Sequence, residues 1–134
     1  MDKQQFLAEY QDVFKEPGKD VFFSPGKDVF FSPGRINVIG EHTDYNGGHV
    51  FPCAISIGTY GVYGPREDTT VAIYSANSAK EEDSKIITFD INDEKPQSAK
   101  DEKWVNYFKG MLVYLKQRGF KIDRGFNLYI HGFL

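Results

Sequence analysis

The residues best suited to chemistry cluster at the end of one short apolar segment. Arg35 precedes segment 36–39 (INVI), and Glu41, His42 and Asp44 follow that segment within a few positions. A carboxylate can accept hydrogen bonds from two neighbouring hydroxyl groups at once. Three acceptor-rich side chains this close together therefore favour a small polyhydroxylated ligand, such as a sugar.

Two other interpretations of the same residues must be weighed. Asn46 is followed by two glycines, so the segment could simply be a solvated loop in which Asp and Asn side chains cap turns. A metal site would need His42, Asp44 and His49 as ligands, but their spacing matches no standard ligand pattern. The sequence therefore leaves the sugar site and the solvated loop open, and it disfavours metal.

Residues 34–45, GRINVIGEHTDY, resemble the galactokinase signature of the GHMP small-molecule kinases. The resemblance is clear from about residue 29 to residue 131, through FPCAISIG, the turn at 75–77 and WVNYFKGM. It covers only the N-terminal portion of such enzymes. The activity it implies is ATP-dependent phosphorylation of the anomeric hydroxyl group of galactose, with Mg²⁺.

The resemblance also implies roles for individual residues. Those expected to bind the sugar hydroxyl groups are Glu41, His42, Thr43 and Asp44. Arg35 would lie beside the catalytic carboxylate and stabilise charge that develops on the transferred phosphoryl group.

A nucleotide site is implied in the same way. Ser75, Trp104 and Tyr107 match positions that line the adenine end of the ATP pocket in galactokinases. Helical periodicity alone favours a different interpretation, in which Trp104 and Tyr107 are residues that face the core. Both interpretations stay open at this point.

Two parts of the galactokinase apparatus are missing from the sequence. It contains no glycine- and serine-rich phosphate loop and no later carboxylate to accept the anomeric proton. We therefore predict that this chain alone shows no measurable ATP-dependent sugar phosphorylation. A non-catalytic remnant, a sugar-sensing relative and a sister GHMP kinase acting on another sugar all remain open alternatives.

The composition is that of a globular protein with one core, and the resemblance implies a single incomplete N-terminal domain over residues 1–134. The sequence is 40% hydrophobic and 26% charged, and its net charge of −3 comes from scattered residues, which disfavours nucleic acid and membranes as partners. Cys53, the single cysteine, lies in an apolar run and is predicted to be a small core residue. With no apolar export segment, the expected location is the cytoplasm.

An eight-residue segment is duplicated near the start of the chain. PGKDVFFS occupies residues 17–24 and recurs unchanged at 25–32. Two copies are too few for a solenoid, so a local tandem duplication is the simpler explanation. Because only the second copy runs directly into Arg35, we predict that residues 29–31 pair in the sheet and that residues 21–23 form an edge strand or lie exposed.

The remaining patterns predict an α+β fold, with packing helices on a mixed sheet. Within it, we expect Gly110 to mark a close backbone approach and His131 to be a satisfied surface or strand-end residue. The predicted helices are 4–15 and 101–118, and the predicted strands are a buried one at 50–58, a hairpin of 59–63 with 70–75, a short one at 86–91 and a half-buried one at 126–131.

Overall fold

The computed structural model describes residues 2–15, 28–77, 86–100 and 102–133. Within these ranges, five strands form one sheet in the order β1-β2-β5-β3-β4, in which β3 and β5 are parallel and the other neighbouring strands are antiparallel. The α+β prediction of a mixed sheet with packing helices is confirmed. The elements are α1 (Lys3–Phe14), β1 (Asp28–Ile39), β2 (Phe51–Pro65), β3 (Thr70–Ser75), β4 (Ile87–Asp90), α2 (Asn106–Gln117) and β5 (Phe126–Gly132).

Two hydrophobic cores lie on opposite faces of the sheet. Ala72 belongs to the core that contains the buried face of α1, whereas its neighbours Val71 and Ile73 belong to the core under α2. Successive strand residues point to opposite faces, so β3 is covered on both sides. The α1 side is anchored by aromatic residues at helical spacing, namely Phe6, Tyr10 and Phe14, all buried.

The predicted hairpin of residues 59–63 and 70–75 is wrong, because β5 lies between β2 and β3. The predicted half-buried character of β5 is also wrong. Tyr129 is buried in the core under α1, while Leu128 and Ile130 pack against the core under α2. A strand with apolar contacts on both faces buries the most apolar surface when it lies inside the sheet. β5 therefore lies between β2 and β3, although β2 and β3 follow each other in the sequence.

The predicted buried strand at 50–58 is exposed over most of its length, and Cys53 is exposed rather than in the core. From Thr59 onward β2 lies between β1 and β5, but before that point it pairs with β1 alone. We call the two-stranded part made of residues 33–39 and 51–58 the distal ribbon. Its apolar side chains are exposed because no third described element covers them, as Ile39 at 70% and Phe51 at 63% illustrate.

The second helix is shorter than predicted and packs differently. Residues Lys103–Val105 form a 3₁₀ turn before α2, and residue 101 lies outside the described part of the chain. Met111 is 48% exposed, whereas Lys109 is buried and donates to the Asp93 carboxylate at 2.8 Å. An added Cβ at Gly110 would meet nothing within 4 Å, so the predicted close approach there is wrong.

The second copy of the duplicated segment pairs as predicted. Val29 lies opposite Val62, and Phe31 lies opposite Tyr60 with ring centroids 4.7 Å apart. The first copy, residues 17–24, lies outside the described residues. Across the ranges that the structure describes, no helix is both long and apolar enough to cross a membrane.

His131 lies near the end of β5, as the strand-end alternative predicted, but it is not a satisfied surface residue. Its ring stacks on Phe133 with centroids 4.4 Å apart and meets Phe6 edge-on. Its Nδ1 atom is buried and has no hydrogen-bond partner among the described residues, the Glu9 carboxylate lying 3.8 Å away. His131 is therefore part of the packing between α1 and β5.

Candidate functional site

The loop that follows β1 is built around unusual backbone conformations. Gly40 has φ of +101°, and an added Cβ there would lie 2.7 Å from the carbonyl oxygen of His49. His42 has φ of +58°, a region that residues other than glycine rarely adopt. A 3₁₀ turn at Asp44–Asn46 then leads back towards β2. Such strain is often found where a loop must present side chains to a ligand.

Thr43 stabilises this loop through hydrogen bonds. Its hydroxyl group lies 2.7 Å from the carbonyl oxygen of Gly40 and 3.1 Å from that of His49, so it connects the two ends of the loop. The Gly48 amide donates to the carbonyl oxygen of Thr43 at 2.7 Å, and the Asn46 side chain donates to the carbonyl oxygen of His42, also at 2.7 Å. These contacts hold the loop closed on itself.

The loop and the end of β1 enclose a cavity of about 200 Å³. The structure thus brings together Arg35, Glu41, His42 and Asp44, four of the five predicted residues of this site. Thr43 is not in the lining. The lining residues are Arg35, Asn37, Gly40, Glu41, His42, Asp44 and Tyr45.

Some polar groups around this cavity have hydrogen-bond partners among the described residues, and others do not. Glu41 accepts from the Asn37 amide at 3.4 Å, and the Nδ1 atom of His42 shares a hydrogen bond of 2.5 Å with the Tyr45 hydroxyl group. Within the described ranges, the Arg35 guanidinium and the Asp44 carboxylate make neither a hydrogen bond nor an ion pair. The guanidinium of Arg35 and the carboxylate of Asp44 are therefore available to bind a ligand beside the strained loop.

Asn37 and Tyr45 line the cavity although neither was predicted as a site residue. Asn37 shares the strand face of Arg35, two residues away, so strand alternation was the signal for it. Tyr45 lies in the 3₁₀ turn Asp44–Asn46, which brings its hydroxyl group to the ring of His42. That turn was not recognisable in the sequence.

The predicted nucleotide residues fall in two places. Trp104 and Tyr107 share a cavity of about 540 Å³ with Lys103 and Asn106, whereas Ser75 does not line it and pairs with β5 at the end of β3. Trp104 is partly buried and packs against the core, but Tyr107 is 84% exposed. The interpretation as core-facing residues therefore holds for Trp104 and is wrong for Tyr107.

Metal binding finds no support in the part of the chain that the structure describes. No group of three His, Cys, Asp or Glu residues lies close enough to hold an ion there. His49 is not among the residues that line the cavity beside His42 and Asp44.

Comparison with known proteins gives a consistent result. A family model described as the galactokinase galactose-binding signature matches residues 22–65. A galactokinase of Limosilactobacillus reuteri is 91% identical over 100% of this chain, and one of Limosilactobacillus fermentum is 59% identical over 98% of it. The crystal structure of Lactococcus lactis galactokinase complexed with galactose has 44% sequence identity, covers 98% of this chain and superimposes with a TM-score of 0.80.

The chain spans only about a third of the length of these relatives. The matched part is 32% of the Limosilactobacillus reuteri protein and 31% of the Lactococcus lactis chain. The site residues Arg35, Glu41, His42 and Asp44 all lie within the segment that the galactose-binding signature matches.

Proposed function

The chain carries the sequence and fold of the N-terminal portion of galactokinases, and from this we propose that its loop 40–48 binds galactose. The observation that carries the proposal is the convergence of Arg35, Glu41, His42 and Asp44 on one small cavity within the matched signature segment. In a complete enzyme, the bound sugar would be phosphorylated on its anomeric hydroxyl group at the expense of ATP.

The side chains around the cavity suit a sugar. The Asp44 carboxylate can accept from two adjacent hydroxyl groups, and Glu41 keeps acceptor capacity beyond its bond to Asn37. A site built from such groups discriminates through hydrogen bonds, because a ligand that lacks a hydroxyl group leaves a site group unpaired. Thr43 acts indirectly in this proposal, by holding the loop in shape.

Arg35 has the most direct part in phosphoryl transfer. It lines the sugar cavity from the end of β1, and its planar fork of donors matches the oxygens of a phosphoryl group. We propose that it stabilises the negative charge that develops during transfer. Its place in β1, where it pairs with Ala54 of β2, also holds it beside the cavity.

The cavity beside Trp104 and Tyr107 is the candidate for the adenine of ATP. Its aromatic lining suits a planar base, and Ser75 is the weakest of the three proposed contacts because it does not line the cavity. ATP would supply the phosphoryl group. Mg²⁺ would accompany ATP in the complete enzyme, and among the described residues no group of three His, Cys, Asp or Glu side chains could hold an ion.

The proposed setting is the cytoplasm, with a sugar and a nucleotide as partners rather than nucleic acid or membrane. The supporting observations are the single cysteine, exposed and unpaired, and the weak net charge of −3.

Calorimetric titration of galactose into this chain tests the proposed sugar site. We expect saturable binding that Asp44→Ala weakens by about tenfold, because the lost acceptor leaves a sugar hydroxyl group unpaired. Asp12→Ala, on the exposed face of α1, is the matched control and should leave the affinity unchanged. Equal affinity for both variants would mean that the loop is not the sugar site.

A further inference from the structure

The distal ribbon leaves the sheet at an irregularity in the pairing of β1 with β2. Pro33 lies opposite Gly58, but the next pair is Arg35 with Ala54, so Gly34 faces three residues of β2. Bulges of this kind bend a strand and redirect the side chains beyond them, and they are common beside functional sites. Arg35, which lines the proposed sugar cavity, is the first paired residue after the bulge.

Gly58 allows the two backbones to approach each other at this bulge. A Cβ atom added there would lie 2.1 Å from the carbonyl oxygen of Ser32 and 2.9 Å from the Cα atom of Pro33. Since ordinary contact begins at 3.4 Å, alanine would have to separate the strands locally by about 1.3 Å (3.4 minus 2.1). Both contacts are backbone atoms, so no side-chain rotation can relieve the clash.

Gly58 is also tied to the body of the sheet. Its carbonyl oxygen accepts from the Phe133 amide at 3.0 Å, and pairing of β2 with β5 starts at the next residue, Thr59. The residue is therefore held by β5 on one side while it contacts β1 closely on the other. A shift forced at Gly58 must move β1, and with it the ribbon, relative to the sheet.

We propose that Gly58 is a positioning residue for the sugar site, because the close approach it permits fixes the direction in which the distal ribbon presents Arg35 and loop 40–48. This inference rests on the proposed function of that loop. The sugar cavity lies at the tip of the ribbon, whereas the Trp104 cavity lies at the start of α2. The position of the sugar cavity relative to the Trp104 cavity therefore depends on the direction that the ribbon takes at the bulge.

The chain contains its own probes for ribbon direction. Cys53, the single cysteine, is exposed on the ribbon, and Trp104, the single tryptophan, lies just before α2. A thiol-reactive fluorophore on Cys53 can therefore serve as the energy-transfer acceptor for Trp104 without any engineered site. We expect Gly58→Ala to change the transfer efficiency.

Gly61→Ala is the matched control for this measurement. It lies on the same strand, and its added Cβ would meet only ordinary contacts at 3.8 Å, so transfer should equal that of the unchanged chain. Equal efficiency for Gly58→Ala and Gly61→Ala would overturn the proposal. No galactose enters this experiment, so its outcome is independent of whether the loop binds sugar.

Galactose titration of the same variants gives the functional readout. We expect Gly58→Ala to raise the galactose Kd by about tenfold and Gly61→Ala by less than about twofold, since misplacement of binding groups by about 1 Å is costly. If the unchanged chain binds no galactose, the proposed function fails while the energy-transfer result still decides the role of the bulge. If ribbon direction changes but affinity does not, the positioning role is refuted.

Circular dichroism decides whether the Gly58→Ala chain is folded. Should it unfold, the substitution is made at the corresponding position of full-length Limosilactobacillus reuteri galactokinase, the relative that is 91% identical to this chain. There we expect the galactose KM to rise by about fivefold or more while the ATP KM stays constant. A galactose KM equal to that of the unchanged enzyme would refute the positioning role.

Discussion

Replacing Asp68 by asparagine should destabilise the chain through the buried guanidinium of Arg66. Arg66 is 3% exposed, and its Nε and Nη2 atoms donate to the two Asp68 oxygens at 2.7 and 2.6 Å. Its Nη1 atom donates to the Asn127 side chain in β5 at 3.0 Å. Asparagine keeps one acceptor but removes the negative charge that Asp68 places beside the buried guanidinium.

The size of the effect follows from the pKa of Asp68. The hydrogen bond from Arg66, aided by the Thr70 amide, lowers the pKa of this carboxyl group from 3.8 to about 2. A shift of about 1.8 units corresponds to about 2.4 kcal/mol. Since the Asp68 side chain is 48% exposed, solvent screening reduces this, and we expect a loss of about 1–2 kcal/mol at pH 7.

The same argument fixes the pH dependence. A carboxyl group whose pKa is depressed in the folded state stabilises that state above its unfolded pKa, here near 4. This stabilisation is lost as pH falls towards the folded pKa of about 2. The difference in unfolding free energy between the unchanged chain and Asp68→Asn should therefore be constant from pH 7 to about 5 and shrink below pH 4.

Urea denaturation between pH 7 and pH 3 measures this difference. The matched control is Asp123→Asn, which removes an ion pair of 3.5 Å to Lys121 with both partners largely exposed. That change should cost less than about 0.5 kcal/mol at every pH. The reasoning is refuted if Asp68→Asn has the same stability as the control, or if its deficit does not narrow in acid.

Three further predictions concern other parts of the chain. Gly110→Ala should raise the unfolding free energy by about 0.5–1 kcal/mol in urea, because the site is helical and has open space around it; a loss would reveal a hidden contact. Val29→Asp should reduce soluble yield and Tm more than Val21→Asp does, since Val29 packs against the core under α1, and the reverse order would place the first copy in the sheet. In a full-length galactokinase, the lysine substitution that corresponds to Arg35→Lys should lower mainly kcat in a coupled assay, because a point charge cannot reproduce the guanidinium fork; a change confined to KM would contradict its assigned role.

Local patterns predicted the elements whose own residues carry a clear apolar pattern. The apolar spacing of Phe6, Tyr10 and Phe14 is enough to identify α1, and the β-branched run at 70–75 is enough to identify β3. Strand order was not accessible in the same way. The insertion of β5 between β2 and β3 depends on contacts between residues more than fifty positions apart, which periodicity does not encode.

The site was predictable where side-chain chemistry and spacing coincide. Arg35 and Asp44 converge as expected, because strand alternation and a short loop leave few other arrangements. The roles of Thr43 and Tyr45 could not be predicted in this way. Each depends on a strained loop geometry, with His42 at positive φ, that no sequence pattern indicates. Cys53 was misjudged because an apolar run predicts burial only where another element covers it.

Histidine imidazole NMR during a galactose titration tests the central claim most directly. The chain has three histidines, of which His42 lines the proposed sugar cavity and His131 packs between α1 and β5. We predict a saturable shift of the His42 signals that needs about tenfold more galactose in Asp44→Ala, while the His131 signals stay unchanged. Galactose binding that shifts His131 and leaves His42 unaffected would contradict the account.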